Sequence, residues 1–177
     1  MKKKVLIWEV LGFLMVCTLG AIFHFIYEWT GKQTWAGFFS PVNESIWEHL
    51  KLLFFPVLIF SGIEYIWIRK DSKNFIAARI TGTVLGMLAI VVLFYTYTGI
   101  VGNHYLWLDI LTFFIGVLVT FLYTNYGMKR YIEKTSTTMT ALAVLILFFA
   151  AFVVFTYYPP HIGLFRDPVS TKFGIIE

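Results

Sequence analysis

The sequence predicts an all-α, polytopic membrane protein: a single domain, residues 1–177, built as a bundle of five transmembrane helices. Three observations predict it. Only 14% of the residues are charged while 59% are hydrophobic. Five apolar stretches are each long enough to cross the hydrocarbon, which takes roughly 20 residues. Lysines and arginines gather on alternate connections between those stretches. A soluble domain is typically about 45–50% apolar and about 25% charged, so a mean hydropathy of +0.77 excludes the ordinary globular class.

The spans fall at about 5–27, 50–68, 75–98, 105–127 and 138–158. Backbone polar groups in lipid must be satisfied within the segment, which leaves helices or a closed barrel. Continuous apolar runs of this length do not suit barrel strands of about ten alternating residues. The first span follows Lys2, Lys3 and Lys4, as a secretory leader would. Its apolar run exceeds the usual leader core of roughly 7–15 residues, so it is expected to stay as an anchor. Cys17 lies inside this span and offers no intrachain disulfide. The second span contains Pro56, where a kink is expected. The third carries Gly82 and Gly86, a small-residue face for close helix contact. Pro159 and Pro160 end the fifth, and the tail 159–177 keeps apolar residues from Leu164 to Ile176 that favour folding back as a lid.

Orientation follows from the rule that short cytoplasmic loops collect lysine and arginine. With the amino terminus cytoplasmic, the inner segments hold Lys2, Lys3, Lys4, Arg69, Lys70, Lys73, Arg79, Lys129, Arg130 and Lys134. The outer segments hold only Lys32, Lys51, Arg166 and Lys172, and the carboxyl terminus lies outside. Tryptophan and tyrosine favour both interfaces. Trp8, Trp67, Tyr126 and Tyr131 fall near inner ends, and Trp29, Trp35, Trp47, Trp107 and Tyr157 near outer ones. The net charge of +4 is thus a topology signal, and no nucleic-acid partner is expected.

On this topology all four histidines, His24, His49, His104 and His161, fall on the outer side, with Glu28, Glu44, Glu48, Asp109, Asp167 and Glu177. Ionisable groups gathered at a bilayer read first as a functional site. The densest polar run lies in the outer loop 28–49 and its exit, Ser40-Pro41-Val42-Asn43-Glu44-Ser45-Ile46-Trp47-Glu48-His49-Leu50-Lys51. Serine followed by proline predicts a helix start at Ser40. Helical spacing from there sets Glu44 over Glu48 and Ser45 over His49.

With this segment, the chain resembles a family of small bacterial integral membrane proteins that carry a Pro-Val-Asn-Glu-Ser-Ile-Trp-Glu-His-Leu-Lys motif. The resemblance extends from His24-Phe25-Ile26-Tyr27-Glu28-Trp29 to the tail around Pro159-Pro160-His161. It implies a multi-pass protein of the bacterial cell membrane. The family has no assigned activity, so the resemblance implies no mechanism.

Two chemistries suit the outer residues. Histidine and carboxylate at i, i+4 spacing suit a zinc or iron ion; the candidate ligands are His24, Glu28, Glu48, His49 and His104. Acid–base catalysis without metal would use Glu44, Glu48, His49 and Asp109. His104-x4-Asp109-x2-Thr112 resembles a pattern of some membrane-bound metal-dependent hydrolases, over three residues only. Asn43, Trp47 and His161 are candidates for binding an amphipathic small molecule or lipid. The plain alternatives are interfacial solvation of helix ends and a structural pair at Asp109. A non-enzymatic sensor or assembly partner fits the sequence about as well as an enzyme does. A transporter fits less well, because the midplanes of spans three and five are almost wholly apolar. Nucleotide binding is not expected: the chain has no P-loop and no G-x-G-x-x-G. Glu9 and Glu64, near inner ends, are expected to snorkel or pair with Lys4, Arg69 or Arg79.

Overall fold

Long runs of leucine, isoleucine, valine and phenylalanine satisfy their backbone polar groups within the segment by coiling into helices. The computed structural model describes residues 2–72, 74–130 and 134–175. Lys73, Tyr131, Ile176 and Glu177, which enter the charge, aromatic and tail readings above, lie outside the described residues. In chain order the helices are α1 (Lys2–Trp29), α2 (Thr34–Gly37), α3 (Ile46–His49), α4 (Lys51–Ile68), α5 (Phe75–Val101), α6 (Leu106–Arg130) and α7 (Thr135–Tyr157). A single 3-10 turn, Gly163–Phe165, follows in the tail. Among the described residues five helical stretches are long and apolar enough to cross a membrane: Lys3–Trp29, Ile46–Ile68, Phe75–Val101, Leu106–Arg130 and Thr135–Tyr157.

The helix after the 28–45 connection begins five residues later than Ser40–Pro41 predicts. Ser40 is spent elsewhere: its hydroxyl donates to the Phe23 carbonyl at 2.6 Å and accepts from the Tyr27 amide at 3.1 Å, tying the loop to α1. The working cap is Ser45, whose extended backbone (φ −69°, ψ 152°) precedes the helix and whose Oγ accepts from the Glu48 amide at 3.4 Å. The Asn43 side chain accepts from the Ser45 amide at 2.8 Å, a turn that aims the chain into α3. α5 in turn runs to Val101, beyond the expected end near residue 98. Gly102, at φ 78°, supplies the left-handed terminus, and its N–H donates to the Thr98 carbonyl at 2.8 Å.

α5 and α6 form the most extensive helix pair. They meet on small residues: a Cβ added at Gly82 would lie 2.6 Å from the Thr120 carbonyl oxygen, and one at Gly86 would meet the Gly116 carbonyl. The Gly82–Gly86 face is therefore used within the bundle. α1 packs on α4 and α6, and α7 on α5. The apolar core between them centres on Val16, Leu53, Phe54, Val57, Phe60, Val117, Phe121 and Phe152. Outward faces are apolar too: Leu6, Ile7 and Val10 of α1, Leu88 and Val92 of α5, and Ile146 and Leu147 of α7 are all exposed. Water would not tolerate such a continuous apolar exterior, and a bilayer would.

One end of the bundle gathers the carboxyl ends of α1, α5 and α7 with the amino ends of α3 and α6. The tail lies against it. Asn43 Nδ2 donates to the Gly174 carbonyl at 2.7 Å, and the Glu44 amide donates to Asp167 Oδ2 at 3.1 Å. Phe165 is buried against Trp47 and Phe155.

Candidate metal centre

Three side chains from three segments converge at this end: His24 near the end of α1, Glu44 in the turn before α3, and His49 at the end of α3. One ligand atom of each lies within 4.8 Å of the others. Glu44 reaches the histidines because it is not helical: it sits just ahead of the Ser45 cap, where the chain is bent by the Asn43 turn. The His24 and His49 rings stand 5.3 Å apart, centre to centre.

The proton positions are constrained by geometry. His49 Nδ1 lies 2.9 Å from the Ser45 carbonyl oxygen, a contact that requires the proton on Nδ1. Nε2 is left facing Glu44 Oε2 at 3.4 Å. A neutral imidazole would oppose a lone pair to a carboxylate there, so the arrangement calls for an imidazolium or for a cation between the two atoms. Two ligands held at about 2.0–2.2 Å from one tetrahedral zinc stand roughly 3.4 Å apart, which is the separation seen. His24 Nδ1 is buried and has no hydrogen-bond partner among the described residues. The Nδ1–H of His49 bonded to a backbone carbonyl is the orientation that metal-binding imidazoles adopt. The His49 contact also holds the half-exposed Glu44 carboxyl below the usual carboxylate range, against a burial that opposes it; the charges of His49, His24 and His104 add to the effect.

His104 and Asp109 form a second group beside the first. Asp109 accepts a hydrogen bond from the Tyr97 hydroxyl, and its other oxygen lies 3.3 Å from His104 Nδ1. His104 is thus paired with Asp109 rather than gathered with His24, Glu44 and His49, though near enough to Glu44 for its charge to act there.

The remaining sequence candidates lie elsewhere. Glu48 turns into the protein and away from the histidines: it is 2% exposed and accepts from Lys51 Nζ at 2.6 Å and from the Val42 amide at 3.1 Å. Lys51, fully buried, also donates to the Gly37 carbonyl at 2.8 Å and to Thr156 Oγ1 at 2.6 Å. This network staples the 37–48 segment to α7. Glu28 is exposed and stands 3.9 Å from Lys32, outside the group. His161 stacks on Phe173 in the tail, ring centres 4.6 Å apart. Trp47 is buried among Phe152, Phe155 and Phe165, and Asn43 is spent on the turn and the tail. The Lys51 network was not expected from sequence. A signal for it existed: Ser45-x-x-Glu48 is a capping-box spacing that marks the true helix start, and Lys51 stands three residues beyond Glu48.

The chain belongs to a family of unknown function (DUF6512), whose sequence model matches residues 1–175. Comparison with curated proteins and with solved structures gives no match.

Proposed function

We propose that this protein is a multi-pass protein of the bacterial cell membrane that holds a divalent transition-metal ion, zinc before iron, at His24, Glu44 and His49 on the outer face. The observation that carries the reading is the 3.4 Å approach of His49 Nε2 to a Glu44 carboxylate oxygen, with a ring nitrogen of His24 within 4.8 Å of a ligand atom of each. Two imidazoles and one carboxylate are a common catalytic zinc set, and three protein ligands leave a coordination position for water. An ion held there would supply Lewis-acid activation of water near neutral pH. His104, whose ring meets Asp109, would serve as the proton donor and acceptor beside that site, a role its pairing with a carboxylate supports. The proposed activity is hydrolysis of an amphipathic or lipid substrate that enters from the bilayer.

Elemental analysis of the purified protein tests the metal. About one zinc per chain, lost in Glu44→Gln and in His49→Ala but kept in Glu48→Gln, supports the assignment; no metal in the unaltered protein overturns it. The cobalt-loaded protein then tests the open position. Added azide should change its visible spectrum if an exchangeable site is present. An unchanged spectrum replaces the enzyme with the second reading, a metal-dependent sensor or assembly partner.

A further inference from the structure

At the opposite end of the bundle, three ionisable residues meet in a site closed to solvent. Glu9 of α1, Glu64 of α4 and Arg79 of α5 are 4%, 0% and 2% exposed. A single guanidinium nitrogen, Arg79 Nη2, donates to Glu9 Oε1 at 2.9 Å and also to Glu64 Oε2. Both carboxyl groups thus crowd onto one nitrogen of the same guanidinium. The Phe121 ring of α6 covers the guanidinium, its centre 4.5 Å from Cζ. The basic residues at this end of α6, Lys129 and Arg130, come two turns beyond Phe121 and are exposed, and α7 has no charged residue at all. Among the described residues the charge count in this site therefore runs over Glu9, Glu64 and Arg79.

Two carboxylates against one guanidinium leave a net charge of −1 in a place that water does not reach. An uncompensated buried charge is strongly destabilising, and like charges this close cannot both ionise without cost. Hydrogen bonding points the same way. Glu9 Oε2 and Glu64 Oε1 are buried acceptors with no donor among the described residues, and Arg79 Nε and Nη1 are buried donors with no acceptor there, so the guanidinium does not reach these two oxygens. A proton on one of them neutralises the site and turns one idle acceptor into a donor. We infer that Glu9 and Glu64 form a proton-binding site, holding one proton between them against Arg79 at neutral pH. The proton belongs to the pair rather than to either residue. This site is separate from the histidine end and does not depend on metal there.

Infrared spectroscopy of the protein reconstituted in lipid nanodiscs reads the proton directly. The unaltered protein should show the carbonyl stretch of a protonated carboxylic acid at neutral pH. In Glu9→Gln the band should disappear, because Glu64 then faces Arg79 alone and ionises. Glu64→Gln should lose it for the mirror reason. Glutamine reproduces the neutral acid in shape, so both variants should fold. Arg79→Gln should double the band, since neither carboxyl then has a cation to pair with. Absence of the band from the unaltered protein overturns the inference, and so does its persistence in both glutamine variants.

Discussion

Lys51 Nζ lies 2.6 Å from Glu48 Oε2, and both side chains are sealed from solvent. The pair draws its partners from the 37–42 loop and from Thr156 of α7, so it ties the start of α4 to both. Removing one partner leaves the other as an unpaired charge. Lys51→Ala or Glu48→Ala should therefore destabilise the fold by about 3–5 kcal/mol. Replacing both by apolar residues of similar size should cost much less. Chemical unfolding in detergent micelles measures all three, and equal losses in single and double variants would contradict the account.

Glu44 provides a pH signature. Its contact with His49 depresses the carboxyl in the folded state. A depressed carboxyl adds stability that is fully present above its unfolded value, roughly 4.3, and that disappears as pH falls through the folded value. The metal-free protein should lose stability over that acid window, and Glu44→Gln should flatten the loss. Because the Glu44 side chain is 49% exposed, the difference should be small. Unfolding midpoints recorded from neutral pH downward should converge for the two proteins at the acid end; a constant offset at every pH would refute the prediction.

Asp167 should matter to both the tail and the metal. It is 3% exposed and accepts from three amides, those of Glu44, Val169 and Ser170. Asp167→Ala leaves these donors without an acceptor, at about 1–3 kcal/mol for each one that stays buried. The expected results are faster proteolysis after Tyr158 and weaker zinc binding, because the backbone carrying Glu44 is no longer held. Zinc affinity unchanged alongside a loosened tail would separate the two effects.

Two glycines should respond oppositely. Gly82→Ala puts a methyl 2.6 Å from the Thr120 carbonyl and forces α5 from α6, costing about 1–3 kcal/mol. Gly62 in α4 has nothing within 4 Å of an added Cβ. Gly62→Ala should be neutral, or stabilising by up to about 1 kcal/mol through helix propensity. Thermal unfolding of the two variants side by side checks the contrast.

The apolar runs alone predicted five long helices, and five helices of that length and apolarity are present among the described residues, since an unbroken apolar run satisfies its backbone locally by coiling. They also implied that the four histidines share one end, because successive long helices alternate in direction. Which carboxylate meets which imidazole was not local. It depended on the bend at 41–45, where Ser40 bonds α1 and Ser45 takes over as cap, freeing Glu44 from helical register. The same bend turns Glu48 inward to a lysine counted only as an outer cation. Arg79 stood among the expected partners of Glu9 and Glu64, but three helices had to pack before one guanidinium could serve both. Pairings of this kind are set by where neighbouring backbones stand, and single-chain periodicity carries no record of that.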